Sequence, residues 1–194
     1  MPRAYEQTTR ARTHAETRLR IVDAAVALYA SSGPARTTIS GIAARAGVQR
    51  LTVYRHFPDD RALLRAAWER WTSEHPLPDA SPWSEIDDPA ARMLLALAEI
   101  YAYFRATEDM TAAILRDLPE LPVLQEVCAP LAAYWASARV ILEQGWKLRG
   151  PRKAQLSAVI GHAAEFGTWR SLARTQRLGD VEAAELMVRL ACAV

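Results

Sequence analysis

Apolar side chains recur every three or four residues along most of this chain, which is the spacing of amphipathic α-helices. The first clear stretch contains Ile21, Val22, Ala25 and Leu28, and Gly33 predicts its end. No stretch shows the alternation typical of a half-buried strand. The pattern therefore predicts an all-α protein of about nine helices. We expect them near residues 17–32, 38–46, 49–57, 61–73, 89–105, 108–118, 123–145, 151–177 and 181–193.

The second and third predicted helices are short, and a tight turn joins them. Thr38 is a suitable N-cap for the first of the two, and Gly47 predicts its end. Val53 and Phe57 are four residues apart and share one side of the second. Two short helices joined by a turn that contains glycine indicate a helix-turn-helix.

The chain is predicted to have three parts. Residues 1–15 are polar and aperiodic, which favours a flexible basic arm. The helix-turn-helix domain follows over residues 16–60, and residues 61–194 form a second helical domain. Proline residues at 76, 78, 82 and 89 predict a loop within this second part.

Charge is distributed unevenly along the chain. Residues 1–75 carry 12 Arg and seven acidic residues, whereas residues 76–128 carry three Arg and ten acidic residues. A basic segment beside an acidic one indicates that the first part contacts a polyanion. The hydrophobic content of 51% excludes an intrinsically disordered chain. No stretch reaches the ~20 apolar residues of a membrane helix, and the start lacks an apolar leader, so we expect a cytoplasmic protein.

Motifs for catalysis or metal binding are missing from the sequence. It contains no G-x-S-x-G, no phosphate-binding loop and no H-E-x-x-H. Cys128 and Cys192 belong to no C-x-x-C pair, and His162 with Glu165 has no second pair of metal ligands. We therefore predict no enzyme activity, no metal and no cofactor.

The outward side of the third predicted helix carries side chains that can read DNA bases. Arg50 or Arg55 can bind guanine, Gln49 can bind adenine, Thr52 can pair with several bases, and Leu51 can contact a thymine methyl group.

Phosphate contacts are suggested by other residues of the same segment. Tyr54 and His56 can donate hydrogen bonds to phosphates, and so can the backbone at Thr38, where the preceding helix starts. The alternative for Tyr54, His56 and Phe57 is a small aromatic core.

Residues 37–64 read TTISGIAARAGVQRLTVYRHFPDDRALL and resemble the DNA-binding segment of the tetracycline-repressor (TetR) family of bacterial transcriptional regulators. The recurring core of that family is T-T-x-x-x-I-A-x-x-A-G-V-x-x-x-T-x-Y-x-H-F, followed by a polar turn and a helix that ends A-L-L. The match has no gap and includes Thr37, Thr38, Ile42, Ala43, Ala46, Gly47, Val48, Thr52, Tyr54, His56, Phe57, Ala62, Leu63 and Leu64. Motif similarity covers residues 17–70, and beyond them the chain is similar to the family in length and helix order.

The resemblance implies a DNA-binding domain of three helices, followed by a helical domain for ligand binding and dimerisation. It implies DNA contacts at Thr38, Ser40, Arg50, Leu51, Thr52, Tyr54, Arg55 and His56. The family often has Ser at the position of Gln49, Gly or Pro at Leu51, and Lys at Asp60. That Lys reaches a phosphate, which Asp60 would repel, so Arg61 is predicted as a weak substitute contact.

The last two predicted helices can form a dimer interface. Residues 151–177 carry a stripe of small side chains, and the final helix has Leu186, Met187 and Leu190 at helical spacing. Pairing with a second copy would make a four-helix interface, as the resemblance also implies. The alternative is packing within one chain.

The second part of the chain is rich in large apolar groups suited to a ligand cavity. The candidates are Trp68, Trp71, Leu97, Glu99, Tyr101, Phe104, Met110, Ile114, Tyr134, Trp135, Phe166 and Trp169. Their alternative role is ordinary core packing. Glu99 is either a counter-ion for a lipophilic cation or a solvent-facing residue of its helix.

These observations predict a ligand-responsive transcriptional regulator that binds double-stranded DNA. We expect a repressor that binds a palindromic operator as a homodimer and is released by a small lipophilic effector, with the helix Arg61–Ser73 as the lever. The alternative is a helical adaptor that binds DNA and responds to a protein partner.

Overall fold

The structure is a computed structural model of the 194-residue chain. It describes residues 2–194, with the backbone alone for residues 2–10. Within this part the protein is all-helical and has no strand. Its helices are α1 (Pro2–Ser32), α2 (Ile39–Ala46), α3 (Arg50–His56), α4 (Asp60–Glu74), α5 (Ser81–Ser84), α6 (Pro89–Ala106), α7 (Glu108–Asp117), α8 (Pro122–Leu142), α9 (Gly150–Ala163), α10 (Phe166–Arg170) and α11 (Asp180–Cys192).

The described residues form eleven α-helices, so the prediction of about nine was wrong. One additional helix, α5, lies in the segment predicted as a proline-rich loop. It places Trp83 in the interior with no exposed surface, where the indole Nε1 donates a hydrogen bond to Glu99 at 2.8 Å. Burial of a large aromatic group thus stabilises a single helical turn that has no periodic pattern of its own.

The second difference is a break in the helix predicted over residues 151–177. Glu165 has an extended backbone, with φ −80° and ψ 139°, between α9 and α10. A π-helical segment, Ser171–Thr175, then follows α10. The new direction of the chain allows both Phe166 and Trp169 to be buried. Apolar residues continue on both sides of Glu165 and no proline stands there, so the sequence did not indicate this break.

The helices form two compact units. The first comprises Met1–Pro76 and Asp109–Cys128, and the second comprises Leu77–Glu108 and Ala129–Val194. Helix α1 of the first unit includes residues 2–15, where the sequence predicts an arm, and the side chains of residues 2–10 lie outside the described part. The flexibility of that arm and the predicted boundary at residue 60 stay predictions.

The first unit has one apolar core to which α1, α2, α3, α4, α7 and the start of α8 contribute. Ile21, Val53 and Leu63 have no exposed surface there, and the later segment contributes Leu124, also without exposed surface, and Ile114, which is 5% exposed. Each such side chain stabilises the fold by about 1.5–3 kcal/mol. This core holds the short helices α2 and α3, which are too short to be stable alone.

The second unit contains α5, α6, most of α8, and α9 to α11. Its interior includes Arg92, which is 5% exposed although the sequence pattern gave no reason to bury it. The Arg92 guanidinium donates to the backbone carbonyls of Ile86 at 3.0 Å and Gln144 at 2.7 Å. A buried cation is acceptable here because these carbonyls satisfy its donors.

No helix among the described residues is long and apolar enough to cross a membrane.

Candidate nucleic-acid interface

Helix α2 has the termini that the sequence predicts. The Thr38 hydroxyl accepts a hydrogen bond from the Gly41 amide at 3.1 Å and caps the first turn. Gly47 ends the helix with φ 67° and ψ 38°, a left-handed conformation that favours glycine. Ile42 and Ala46 are buried, whereas Thr38 and Ser40 are exposed. The start of α2 is therefore accessible to a phosphate.

Helix α3 follows after Val48 and presents one side to solvent. Val53 and Phe57 are 0% and 2% exposed, so they anchor the helix to the core. Leu51 is 69% exposed, and Arg55 is also exposed. Gln49 is exposed at the N-cap position, and Thr52 is partly exposed. This side consists of polar and apolar groups that can contact base edges in a major groove.

Arg50 and Tyr54 form a pair on the exposed surface of α3. The Arg50 Nη2 donates to the Tyr54 hydroxyl at 3.0 Å, and its guanidinium carbon lies 5.5 Å from the centre of the Tyr54 ring. This hydrogen bond, with a smaller contribution from the charge of Asp60, raises the pKa of Arg50. The exposed surface of α3 therefore presents a cation beside a phenol hydroxyl, and both groups can donate hydrogen bonds to DNA.

A groove of about 550 Å³ lies beside this pair, within the first unit. We call it the α2–α4 groove. Its polar lining residues are Thr37, Thr38, Ser40, Arg50, Tyr54 and Asp60, and its apolar lining includes Tyr29, Ile42, Leu64 and Leu121. Four of the polar residues are predicted DNA contacts, so the fold brings them to one place.

His56 is held by two residues of α1 that the sequence analysis did not identify. The rings of His14 and His56 are 4.1 Å apart between centroids. Arg18 donates to the His56 carbonyl at 3.4 Å, and its guanidinium lies 4.2 Å from the Phe57 ring centre. His14 and Arg18 are four residues apart and follow the same helical stripe as Ile21 and Val22. That spacing is the signal that could have revealed them.

The environment of His56 disfavours its charged form. Burial, and after it the charges of His14, Arg18 and Arg55, lowers the pKa of His56. Its Nδ1 is buried and has no hydrogen-bond partner among the described residues. The lowered pKa favours a neutral His56 imidazole at neutral pH.

The residues at the start of α4 differ in their surroundings. The Asp59 carboxylate caps the helix by accepting from the Ala62 amide at 2.7 Å. Arg61 forms an ion pair with Glu126, in which Nη2 and Oε1 are 3.2 Å apart. Arg61 would have to leave this partner in order to reach DNA.

The predicted ligand-binding residues divide between the two units. Trp68, Trp71, Met110 and Ile114 belong to the first unit, where Met110 and Ile114 are buried in the core. Trp71 stacks on His75 with ring centroids 3.7 Å apart. The other eight belong to the second unit: Leu97, Glu99, Tyr101, Phe104, Tyr134, Trp135, Phe166 and Trp169.

Six aromatic side chains cluster inside the second unit. The Phe104 ring is 5.5 Å from both Trp135 and Phe166 and 6.0 Å from Trp169. Tyr134 packs edge-on against Trp135 at 4.9 Å, and Tyr103 lies 6.4 Å from Trp135. Phe104 is buried, whereas the other side of the cluster, formed by Tyr103, Tyr134 and Trp135, is partly exposed.

The polar groups at this cluster are mostly engaged by protein. The Tyr101 hydroxyl donates to the Ala163 carbonyl and the Tyr134 hydroxyl to the Pro78 carbonyl, both at 2.8 Å. Burial, and after it the charge of Glu99, raises the pKa of Tyr134. Glu99 is partly buried and forms no ion pair among the described residues.

Among the residues that the structure describes, no three His, Cys, Asp or Glu side chains come close enough together to hold a metal ion.

Comparison with known proteins identifies the segment that contains this interface. The model of the family described as bacterial regulatory proteins, tetR family, matches residues 21–67. The HTH-type transcriptional regulator TtgR of Pseudomonas putida is 34% identical over 87 residues. That alignment covers 44% of this chain and 41% of TtgR. The chain thus matches less than half of the length of this relative.

Solved structures share the fold over nearly the whole chain. A tetR-family transcriptional regulator from Streptomyces coelicolor has a TM-score of 0.59 and 20% identity, with 92% of this chain and 80% of that chain covered. A TetR-like regulator from Rhodococcus sp. RHA1 has a TM-score of 0.64 and 17% identity, with coverage of 91% and 93%.

FadR from Bacillus subtilis, solved in complex with stearoyl-CoA, has a TM-score of 0.57 and 19% identity, with coverage of 89% and 96%. The helix-turn-helix geometry, the family match over α2 and α3, and the common all-helical fold agree. The helix-turn-helix segment therefore matches the tetR family of bacterial regulatory proteins, and the chain as a whole shares the fold of solved TetR-family regulators.

Proposed function

We propose that this protein is a transcriptional repressor that binds a palindromic DNA operator as a homodimer and is released by a small lipophilic effector. The observation that carries the proposal is the exposed side of α3, where Leu51 and Arg55 project while Val53 and Phe57 hold the helix to the core. A short helix anchored in this way can enter a major groove.

The DNA contacts divide into two classes according to their position. Gln49, Arg50, Leu51, Thr52 and Arg55 are at the start or on the outward side of α3 and read bases. Thr38, Ser40, Tyr54 and His56 surround that side and bind phosphates. Arg61 contributes weakly, because its guanidinium is paired with Glu126.

Dimerisation through α9 and α11 provides the second reading helix. Leu190 and Val181 of α11 are 48% and 59% exposed, and Ala154 and Ala158 of α9 are exposed as well. Ala183 and Met187 instead pack inside the same chain. The exposed residues give each protomer an apolar surface from which a four-helix interface with a second copy can form. Two-fold symmetry then matches a palindromic site.

The effector binds at the aromatic cluster of the second unit. Tyr103, Tyr134 and Trp135 offer partly exposed rings, and Glu99 offers a carboxylate without an ion-pair partner among the described residues. A ligand that prefers the conformation with low DNA affinity weakens DNA binding by the same coupling factor, typically ~1–3 kcal/mol. Helix α4 is the proposed lever between these two events.

DNA selection tests the proposal. The purified protein is mixed with sheared genomic DNA at two salt concentrations, and the retained fragments are sequenced. We expect enrichment of one short palindrome and a steep loss of binding at the higher salt concentration. If the protein binds DNA without enriching any sequence, it does not recognise a specific operator. If it retains no DNA at either salt concentration, it is not a DNA-binding regulator.

Effector binding is tested by adding ligands of opposite charge to the complex with the selected DNA. Stearoyl-CoA is one probe, because FadR was solved with it, and tetraphenylphosphonium is the cationic probe. The negative charge of Glu99 favours a cationic effector. Glu99→Gln should therefore weaken the release of DNA by tetraphenylphosphonium, and Glu120→Gln is the exposed control.

The role of α4 as the lever is tested with Trp68→Ala. This variant should change the release of DNA by the effector and leave the dimer intact. A variant that loses both the response to the effector and dimerisation would contradict the role of α4 as the lever.

A further inference from the structure

One acidic side chain lies among the proposed DNA contacts. Asp60, the first residue of α4, lines the α2–α4 groove together with Thr38, Ser40, Arg50 and Tyr54. Among the described residues that line this groove, Asp60 is the one acid and Arg50 the one base. A carboxylate at this place repels a phosphate that approaches the surrounding donors.

The neighbouring charges do not remove this repulsion. The charge of Asp60 acts on Arg50, where it adds to the larger effect of the Tyr54 hydrogen bond in raising the pKa of Arg50. Arg61 follows directly, but it is paired with Glu126. Asp59 is also acidic, but it lies outside the lining of the groove, where it caps α4. The start of α4 is therefore acidic on the side that faces the proposed DNA contacts.

We propose that Asp60 sets the DNA affinity of this protein by opposing phosphate contacts at Thr38, Ser40 and Tyr54 in the α2–α4 groove. The inference rests on the proposed DNA-binding function. Phosphate contacts are independent of sequence, so Asp60 weakens binding to all DNA by the same factor. A complex weakened in this way needs only a small coupling free energy from the effector to release the operator.

The test compares Asp60→Asn with the matched variant Asp59→Asn. Both remove one negative charge, and Asn at residue 59 still caps α4. Binding to a mixed-sequence duplex is measured by fluorescence anisotropy over a series of salt concentrations. For each subunit that contacts DNA, we expect Asp60→Asn to bind about two- to fivefold tighter. Asp59→Asn should bind as the wild type does.

Asp60→Lys extends the test by reversing the charge. It should bind tighter than Asp60→Asn and make the salt dependence steeper by about one phosphate contact. The selected operator and the mixed-sequence duplex should gain by the same factor. Thermal unfolding of each variant verifies that the domain is folded.

Three outcomes would overturn the inference: an unchanged affinity of Asp60→Asn, an equal gain in Asp59→Asn, or a gain confined to the operator. A wild-type protein that binds neither duplex at low salt would instead refute the proposed function. The two failures are therefore distinguishable.

Discussion

At the scale of single residues, Gly33 shows why one position admits only one amino acid. Its backbone has φ 88° and ψ 155°, a region open almost only to glycine. An added Cβ would overlap the Arg116 guanidinium and the Asp117 carboxylate. Asp117 approaches this closely because it accepts a hydrogen bond from the Ala35 amide at 3.0 Å. The residue that ends α1 is thus also a packing site for α7.

Gly33→Ala should lower the free energy of unfolding by about 3 kcal/mol, because it combines backbone strain with this overlap. Gly47→Ala is the matched control, since φ is also positive there but no atom lies within 4 Å of an added Cβ. The control should lose about 1 kcal/mol. Urea unfolding measures both, and equal losses would contradict the role of Arg116 and Asp117.

His56 makes stability depend on pH. Its pKa is lowered in the folded protein, so the unfolded chain binds more protons below the ordinary histidine value of 6.5. The contribution of His56 to the free energy of unfolding should therefore fall as the pH decreases through 6.5, and level off below the folded-state pKa.

His14→Gln should raise the pKa of His56 towards 6.5, because it removes the charge of a neighbouring ring. The part of the shift due to burial should persist. NMR titration of the His56 ring measures the change. His75→Gln serves as the control, because His75 stacks on Trp71 whereas His14 lies against His56. The control should leave the titration of His56 unchanged. An unchanged titration of His56 in His14→Gln would argue against the contact between the two rings.

At the scale of elements, Asp180 connects three helices of the second unit. Its carboxylate accepts from Arg105 of α6 at 2.6 and 2.7 Å and from the Trp169 indole of α10 at 2.9 Å. Asp180 is the first residue of α11, and the N-cap position belongs to Gly179. Its role is therefore tertiary.

Asp180→Asn should lower the free energy of unfolding by about 1 kcal/mol, a modest value because Arg105 is partly exposed. The hydrogen bond from Arg105, opposed by burial and assisted by Trp169, lowers the pKa of Asp180. Its contribution should be complete above the ordinary aspartate pKa and be lost as the pH falls through the folded-state value.

Unfolding of wild type and Asp180→Asn from neutral to acidic pH checks this prediction. The difference between them should shrink at acidic pH. Glu185→Gln provides a comparison on the same helix, because its ion pair with Arg189 is exposed and longer, at 3.8 Å. If Glu185→Gln lowers the free energy of unfolding as much as Asp180→Asn does, the contacts of Asp180 stabilise the fold no more than an exposed ion pair.

At the scale of the whole molecule, α9 and α11 should decide the assembly state. Leu190→Arg places a charge on the proposed interface between two copies and should convert the dimer to a monomer. Leu115→Arg is the control, since Leu115 of α7 has nearly the same exposure, 49% against 48%. Light scattering after size-exclusion chromatography gives the mass. A monomeric wild type, or a dimer that survives Leu190→Arg, would exclude this interface.

Local patterns predicted the helix-turn-helix well. Thr38 caps α2, Gly47 ends it, and Val53 and Phe57 are buried as their spacing indicated. Each of these outcomes depends on residues within a few positions of one another, so the sequence carries the whole signal.

The sequence by itself therefore determined the all-helical class and the helix-turn-helix, whose residues carry the similarity to the tetR family. The tertiary structure decided the break at Glu165, the helical turn around Trp83, the burial of Arg92 and the pairing of Arg61 with Glu126. It also placed Asp60 beside Arg50 in one groove. These features depend on partners far apart in the chain, whose approach is fixed only when the helices pack and hydrophobic burial outweighs local helical preference.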